Sequence, residues 1–132
     1  MLRRVIDRIH QVLEKNKFII FAYLFGSRAK GLEGWGSDWD IAVYFDTKAL
    51  KYWSRFRLEA EIEKEIKETV QVTVLNTIED PVFAFEIISS GILLVERDPE
   101  VRTLFEADVL RRYHDWSYYL KRHEIKPASS AT

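Results

Sequence analysis

Asp38 and Asp40 stand two positions apart, ten residues beyond the pair Gly26-Ser27. In an extended segment residues two apart share a face, so both carboxylates project to one side. Two carboxylates held together repel unless a cation or a proton lies between them. Magnesium answers that need, because it takes carboxylates, waters and substrate phosphates as ligands. Gly26 lets the backbone approach a ligand with no side chain in the way. Ser27 adds a hydroxyl and a backbone N–H, and a helical turn starting there would add further N–H donors for an anion. Arg28 and Lys30 supply positive charge. Together these residue types suit the placement of a triphosphate and its metal for in-line attack, with the protein contributing position and charge.

Each residue also has an ordinary reading. Gly26-Ser27 alone is a turn after a strand, Asp38 alone a turn residue, and Asp40 alone a solvent-facing strand position. Arg28 and Lys30 alone are solvated loop charges. The joint spacing favours the metal reading. Tyr44 continues the Asp face and is expected to pack, whereas Trp35 and Trp39 suit a base pocket, the core or a partner equally. His10, His114 and His123 are scattered without ligand spacing and read as surface or capping residues. Ser27 lacks a Ser–His–Asp arrangement, which argues against a hydrolytic nucleophile.

The elements that must position these groups follow from periodicity. Leu2, Val5, Ile6, Ile9, Val12 and Leu13 recur every three or four residues and predict a helix ended by Asn16-Lys17. The apolar run Phe18 to Phe25 predicts a strand buried on both faces, stopped by Gly26-Ser27. Residues 28–37 carry Gly31, Gly34 and Gly36 and predict a loop with at most one helical turn. Trp39 to Phe45 alternates as a second strand, with Asp38, Asp40, Ala42 and Tyr44 opposite Trp39, Ile41, Val43 and Phe45.

Lys48 to Thr69 predicts a long helix buried through Leu50, Trp53, Leu58, Ile62 and Ile66, with residues 59–68 as a solvated Glu–Lys face. Val70 to Leu75 predicts a third strand. Asp80-Pro81 and Asp98-Pro99 each open a helix, with Gly91 and a short strand, Ile92 to Val95, between them. Val101, Leu104, Phe105, Val109, Tyr113, Trp116 and Leu120 mark the apolar face of the last helix, and Arg111-Arg112 and Lys121-Arg122-His123 read as helix C-terminal charge. No repeat or linker divides the chain. The expected fold is α/β (α+β): a small mixed β-sheet of about four strands packed with helices. Residues 1–126 form the domain and 127–132 a frayed polar tail.

Composition bounds the rest. The 132 residues fit one core, 47% are hydrophobic and 31% charged, and there is no cysteine. A cysteine-free chain without a signal-like leader or a membrane-length apolar run suits the cytoplasm, with no membrane partner. A net charge of −1 argues against nonspecific wrapping of nucleic acid, and no direct nucleic-acid binding is expected, although local basic clusters remain.

The pattern Gly26-Ser27, ten residues, Asp38-x-Asp40 resembles the signature of the DNA polymerase β-like nucleotidyltransferase superfamily. The short length is similar to its minimal nucleotidyltransferase (MNT) branch, many of whose members are antitoxins encoded beside HEPN-domain ribonuclease toxins. The resemblance implies a Mg2+-dependent protein adenylyltransferase. It would carry AMP from ATP to a hydroxyl, plausibly a toxin tyrosine, with room for an oligomer formed through the partner. It implies Asp38 and Asp40 as catalytic metal ligands, with Gly26, Ser27, Arg28 and Lys30 at the nucleotide phosphates. One departure stands out: where the family often has a third acid on the strand after the long helix, this chain has Gln71. A neutral amide is a poor substitute for an anionic ligand or base. A noncatalytic antitoxin that covers its partner is therefore the main alternative. A transferase acting on a small molecule fits less well, for want of an added substrate domain.

Overall fold

The computed structural model describes residues 2–31 and 38–123. Its order is α1 (Leu2–Lys15), β1 (Ile19–Phe25), β2 (Trp39–Phe45), α2 (Ser54–Ile66), β3 (Val70–Val74), α3 (Pro81–Ser90), β4 (Ile92–Glu96) and α4 (Pro99–Arg122), with a 3-10 turn at Leu75–Thr77. The proposed tail, 127–132, and the glycines Gly34 and Gly36 lie outside the described residues, as does Trp35.

One sheet runs β3-β2-β1-β4. The pair β2–β3 is parallel, while β1 is antiparallel to both β2 and β4. Alternation along the strands builds two cores. Trp39, Ile41, Val43, Val70 and Val72 pack with Ile9 and Leu13 of α1 and Leu58, Ile62 and Ile66 of α2. On the other face Phe21, Tyr23, Phe25 and Ala42 pack with Ile87 of α3, against Phe105 of α4. The central strand β1 is covered on both sides, as its unbroken apolar run requires.

Local chemistry sets the boundaries. Asp80 accepts from the amides of Val82 and Phe83, and Asp98 from those of Glu100 and Val101, so each Asp-Pro pair starts its helix as expected. Arg97 ties three elements together. Its guanidinium donates to the carbonyls of Glu14 (2.6 Å) and Ile19 (2.8 Å), and more distantly to those of Leu13 and Asn16. This satisfies the C-terminal carbonyls of α1 and fixes it against the start of β1.

Three expectations need correction. First, α2 begins at Ser54, not near Lys48. Asp46 holds a turn instead: its side chain accepts from the Lys48 amide, its carbonyl from Ala49 and Leu50, and the Ser54 hydroxyl accepts from the Lys51 amide. Such local bonds offer the backbone an alternative to helix, and they leave Trp53 exposed at the N-cap rather than buried. Second, the acidic face of α2 is not simply solvated. Glu63 accepts from the Val70 amide (2.9 Å) and Glu59 from the Val72 amide (2.8 Å), which closes the outer edge of β3. Third, only Val109 of the predicted α4 face is fully buried, while Leu104 (64% exposed) and Trp116 (40%) face outward. The helix outruns the sheet it packs on, so periodicity alone overstates its core.

Candidate active site

Strand β2 brings Asp40 into the sheet, and Asp38 lies just before the strand, where the Trp39 amide donates to the carbonyl of Thr69 (3.0 Å). Asp40 pairs with Phe25 at the end of β1 and with Gln71 near the start of β3. Three strand ends therefore meet at this carboxylate. Paired residues of a parallel ladder point the same way. Gln71 thus shares the face of Asp40.

Gly26 follows β1 with φ +79°, a left-handed conformation that glycine adopts at no steric cost. A Cβ there would lie 2.4 Å from Asp40 Oδ2. The bare backbone of Gly26 is what allows the Asp40 carboxylate its place. Beyond it the chain winds through successive i to i+3 bonds, Ala29 to Gly26, Lys30 to Ser27 and Gly31 to Arg28, each 3.1–3.2 Å. These bonds form a turn that carries Ser27 and the exposed Lys30.

Arg28 has a more specific environment than the sequence suggests. Its guanidinium meets Glu68 at 3.1 Å and lies 4.7 Å from the ring centroid of Trp39. The Trp39 indole N–H donates to the same Glu68 oxygen (3.0 Å). Trp39 itself is core. Glu68 thus organises Arg28 and Trp39 behind the acidic pair. On the sequence Glu68 reads as part of a solvated face, and its distance of 40 residues from Arg28 leaves no local signal.

The electrostatics agree with two acids held together. The carboxyl of Asp40 is pushed above the usual range, first by burial and then by the charge of Asp38. Among the described residues no cluster of three or more His, Cys, Asp or Glu side chains could cage a metal. Two carboxylates with open positions fit magnesium, which keeps waters and binds substrate phosphates rather than a full protein cage. Tyr44 packs, as expected, stacked 4.9 Å from Phe21. The histidines are peripheral: His10 lies beside Glu14 (3.3 Å) and His123 beside the Tyr119 carbonyl (2.9 Å).

A mixed sheet in this order, with acids opening β2 beside a glycine turn that closes β1, is the build of a nucleotidyltransferase fold. Residues 7–100 match the family described as polymerase beta, nucleotidyltransferase. The chain belongs to that family. Solved structures share the fold at low identity. A toxin–antitoxin crystal structure with AMP-PNP superposes with a TM-score of 0.74 at 22% identity, over 89% of this chain and 93% of that one. A MntA–HpeT toxin–antitoxin mutant, D39ED41E, gives 0.75 at 20% identity over 89% and 93%. A complex of a tri-AMPylated Shewanella oneidensis HEPN toxin with an MNT antitoxin gives 0.70 at 20% identity over 92% and 94%. No curated protein matches the sequence. No helix among the described residues is long and apolar enough to cross a membrane.

Proposed function

We propose that this chain is an MNT-type antitoxin of the cytoplasm that transfers AMP from Mg-ATP to a hydroxyl of a HEPN-type toxin. The observation that carries the reading is the convergence of Asp38, Asp40 and the Gly26 turn where β1 ends and β2 begins. The fold neighbours support the partner. They include toxin–antitoxin complexes, one with AMP-PNP and one with a tri-AMPylated HEPN toxin. One of those proteins carries a pair of Asp-to-Glu changes at the same two-residue spacing as Asp38 and Asp40.

Asp38 and Asp40 would hold magnesium, which supplies charge neutralisation of the triphosphate. Ser27 and the turn after Gly26 orient the phosphates, with Lys30 extending from the exposed side of that turn. Arg28, which pairs with Glu68, would meet them only by giving up that carboxylate. The acceptor oxygen forms a bond to the α-phosphorus, the bond from that phosphorus to the bridging oxygen breaks, and pyrophosphate leaves. The acceptor proton must pass to a base. Gln71 cannot take it at neutral pH, so the proton leaves to solvent or to a group on the partner.

Gln71 beside Asp40 also favours a second reading, an antitoxin that binds its toxin without modifying it. Calorimetry with Mg-ATP, together with release of pyrophosphate in the presence of the neighbouring gene product, tests the first. The chain should bind Mg-ATP and release pyrophosphate, and Asp38→Asn with Asp40→Asn should abolish both. Mg-ATP binding unchanged in that double variant removes the metal-site reading.

A further inference from the structure

At the other end of the sheet, five residues along β2 from Asp40 and so about 17 Å away, a groove of about 530 Å³ opens between the end of α1 and the start of α2. Its walls include Lys15, Lys17, Phe18, Lys51, Trp53 and Arg57. Four cations face a single lining carboxylate, Glu61, which lies 3.6 Å from Arg57. The salt bridges among the described residues do not include Lys15, Lys17 or Lys51. The rings beside these charges are exposed: Phe18 by 57%, Trp53 by 47% and the adjoining Tyr52 by 87%. Helix α2 opens here without a side-chain cap and without an acid in its first turn, so its positive end adds to the same field.

Large rings left in water cost free energy that burial would recover. Interleaved with lysines, they offer a flat face for a base and a cation for the phosphate beside it, the pairing by which proteins hold unstacked strands. The volume lies within the range of sites that enclose one small-molecule unit. Duplexes keep their bases stacked and out of reach. We propose that this groove binds single-stranded nucleic acid, with a base on Trp53 or Phe18 and backbone phosphates on Lys15, Lys17 and Lys51. The net charge of −1 had argued against such binding. That figure averages over the whole chain, whereas this groove is lined by four cations and one carboxylate.

The test uses the whole chain carrying Asp38→Asn and Asp40→Asn, so that nucleotide held by the acidic pair does not contribute. Anisotropy of labelled twelve-residue oligouridylate and oligodeoxythymidylate is followed against salt. Binding of one or both strands is expected, the better of them identifying RNA or DNA as the natural class. The logarithm of affinity should fall with the logarithm of salt at about −0.7 per phosphate contacted. Lys17→Glu with Lys51→Glu should weaken binding at least tenfold. Trp53→Ala should cost about tenfold, and Trp53→Phe should retain most of the affinity. All are exposed positions, and unchanged circular dichroism checks the fold. No strand binding at low salt would overturn the proposal. So would strand binding indifferent to the lysine reversals, equal affinity for polyglutamate, or a mononucleotide bound as tightly as the strand.

Discussion

Asp40 is the residue on which the site turns, and its environment makes it costly. Its raised pKa means that the folded state favours the protonated carboxyl. Stability contributed by this group therefore falls as pH rises from the ordinary carboxylate range through the raised value. The charged form is the one that opposes folding. Asp40→Asn should accordingly raise the Tm of the ligand-free protein, read by thermal melting at pH 7, while Mg-ATP binding is lost. A lowered Tm would mean that Asp40 is held by favourable contacts instead. Gly26→Ala tests the same carboxylate from the other side. It costs about 1–2 kcal/mol in left-handed strain, and its Cβ displaces Asp40, so nucleotide affinity should fall as far as it does in Asp40→Asn. Both acids and the glycine were legible in the sequence because two-residue alternation and a turn glycine are local signals. Glu68 was not, since its partners Arg28 and Trp39 come to it only through tertiary folding. Tyr23 gives a separate, alkaline prediction. Its buried phenol donates to Glu106, and burial leads the causes that hold its pKa well above the usual 10.0. The stability it contributes is present below pH 10 and is lost as pH rises toward the folded value. Tyr23→Phe should cost about 1 kcal/mol at pH 7 and flatten the loss of stability above pH 10, measured by urea unfolding.

At the scale of elements, side chains close what the strands and helices leave open. Arg97 serves the end of α1, Glu59 and Glu63 serve the edge of β3, and the Asn76 amide exchanges two hydrogen bonds with the backbone of Phe45 (2.8 and 2.9 Å). The last of these continues the pairing of β2 past the end of β3. Arg97→Ala should destabilise by about 2–3 kcal/mol, because a charged donor leaves several carbonyls without it. An unchanged urea midpoint would show that water replaces those bonds freely. Helix starts at Asp80-Pro81 and Asp98-Pro99 could be read directly, since a cap and its helix are neighbours in sequence. The delayed start of α2 could not. Residues 48–53 have helical composition, and the bonds from Asp46 and Ser54 that unwind them depend on where β2 ends. The length of α4 was legible but its burial was not, because nothing in the helix says how far the sheet beneath it extends.

The whole molecule separates its chemistry by end. The acidic pair and glycine turn occupy one end of the central strands, and the lysine-lined groove with its exposed rings occupies the other. Beyond the sheet, α4 presents Trp116, Tyr118 and Tyr119 to the outside, an aromatic surface of the kind that partner proteins cover. Family membership and fold establish a nucleotidyltransferase. The transfer itself, with glutamine where a third acid is usual, is the central claim, and the intact mass of the partner reads it most directly. The chain is incubated with Mg-ATP and the protein encoded beside it, and that protein is weighed. The account predicts an increase by one or more AMP units, none with Asp38→Asn and Asp40→Asn together, and a faster increase with Gln71→Asp if the missing carboxylate limits proton removal. A partner neutralised by tight binding, yet unchanged in mass with both the natural chain and the Gln71→Asp variant, would contradict it.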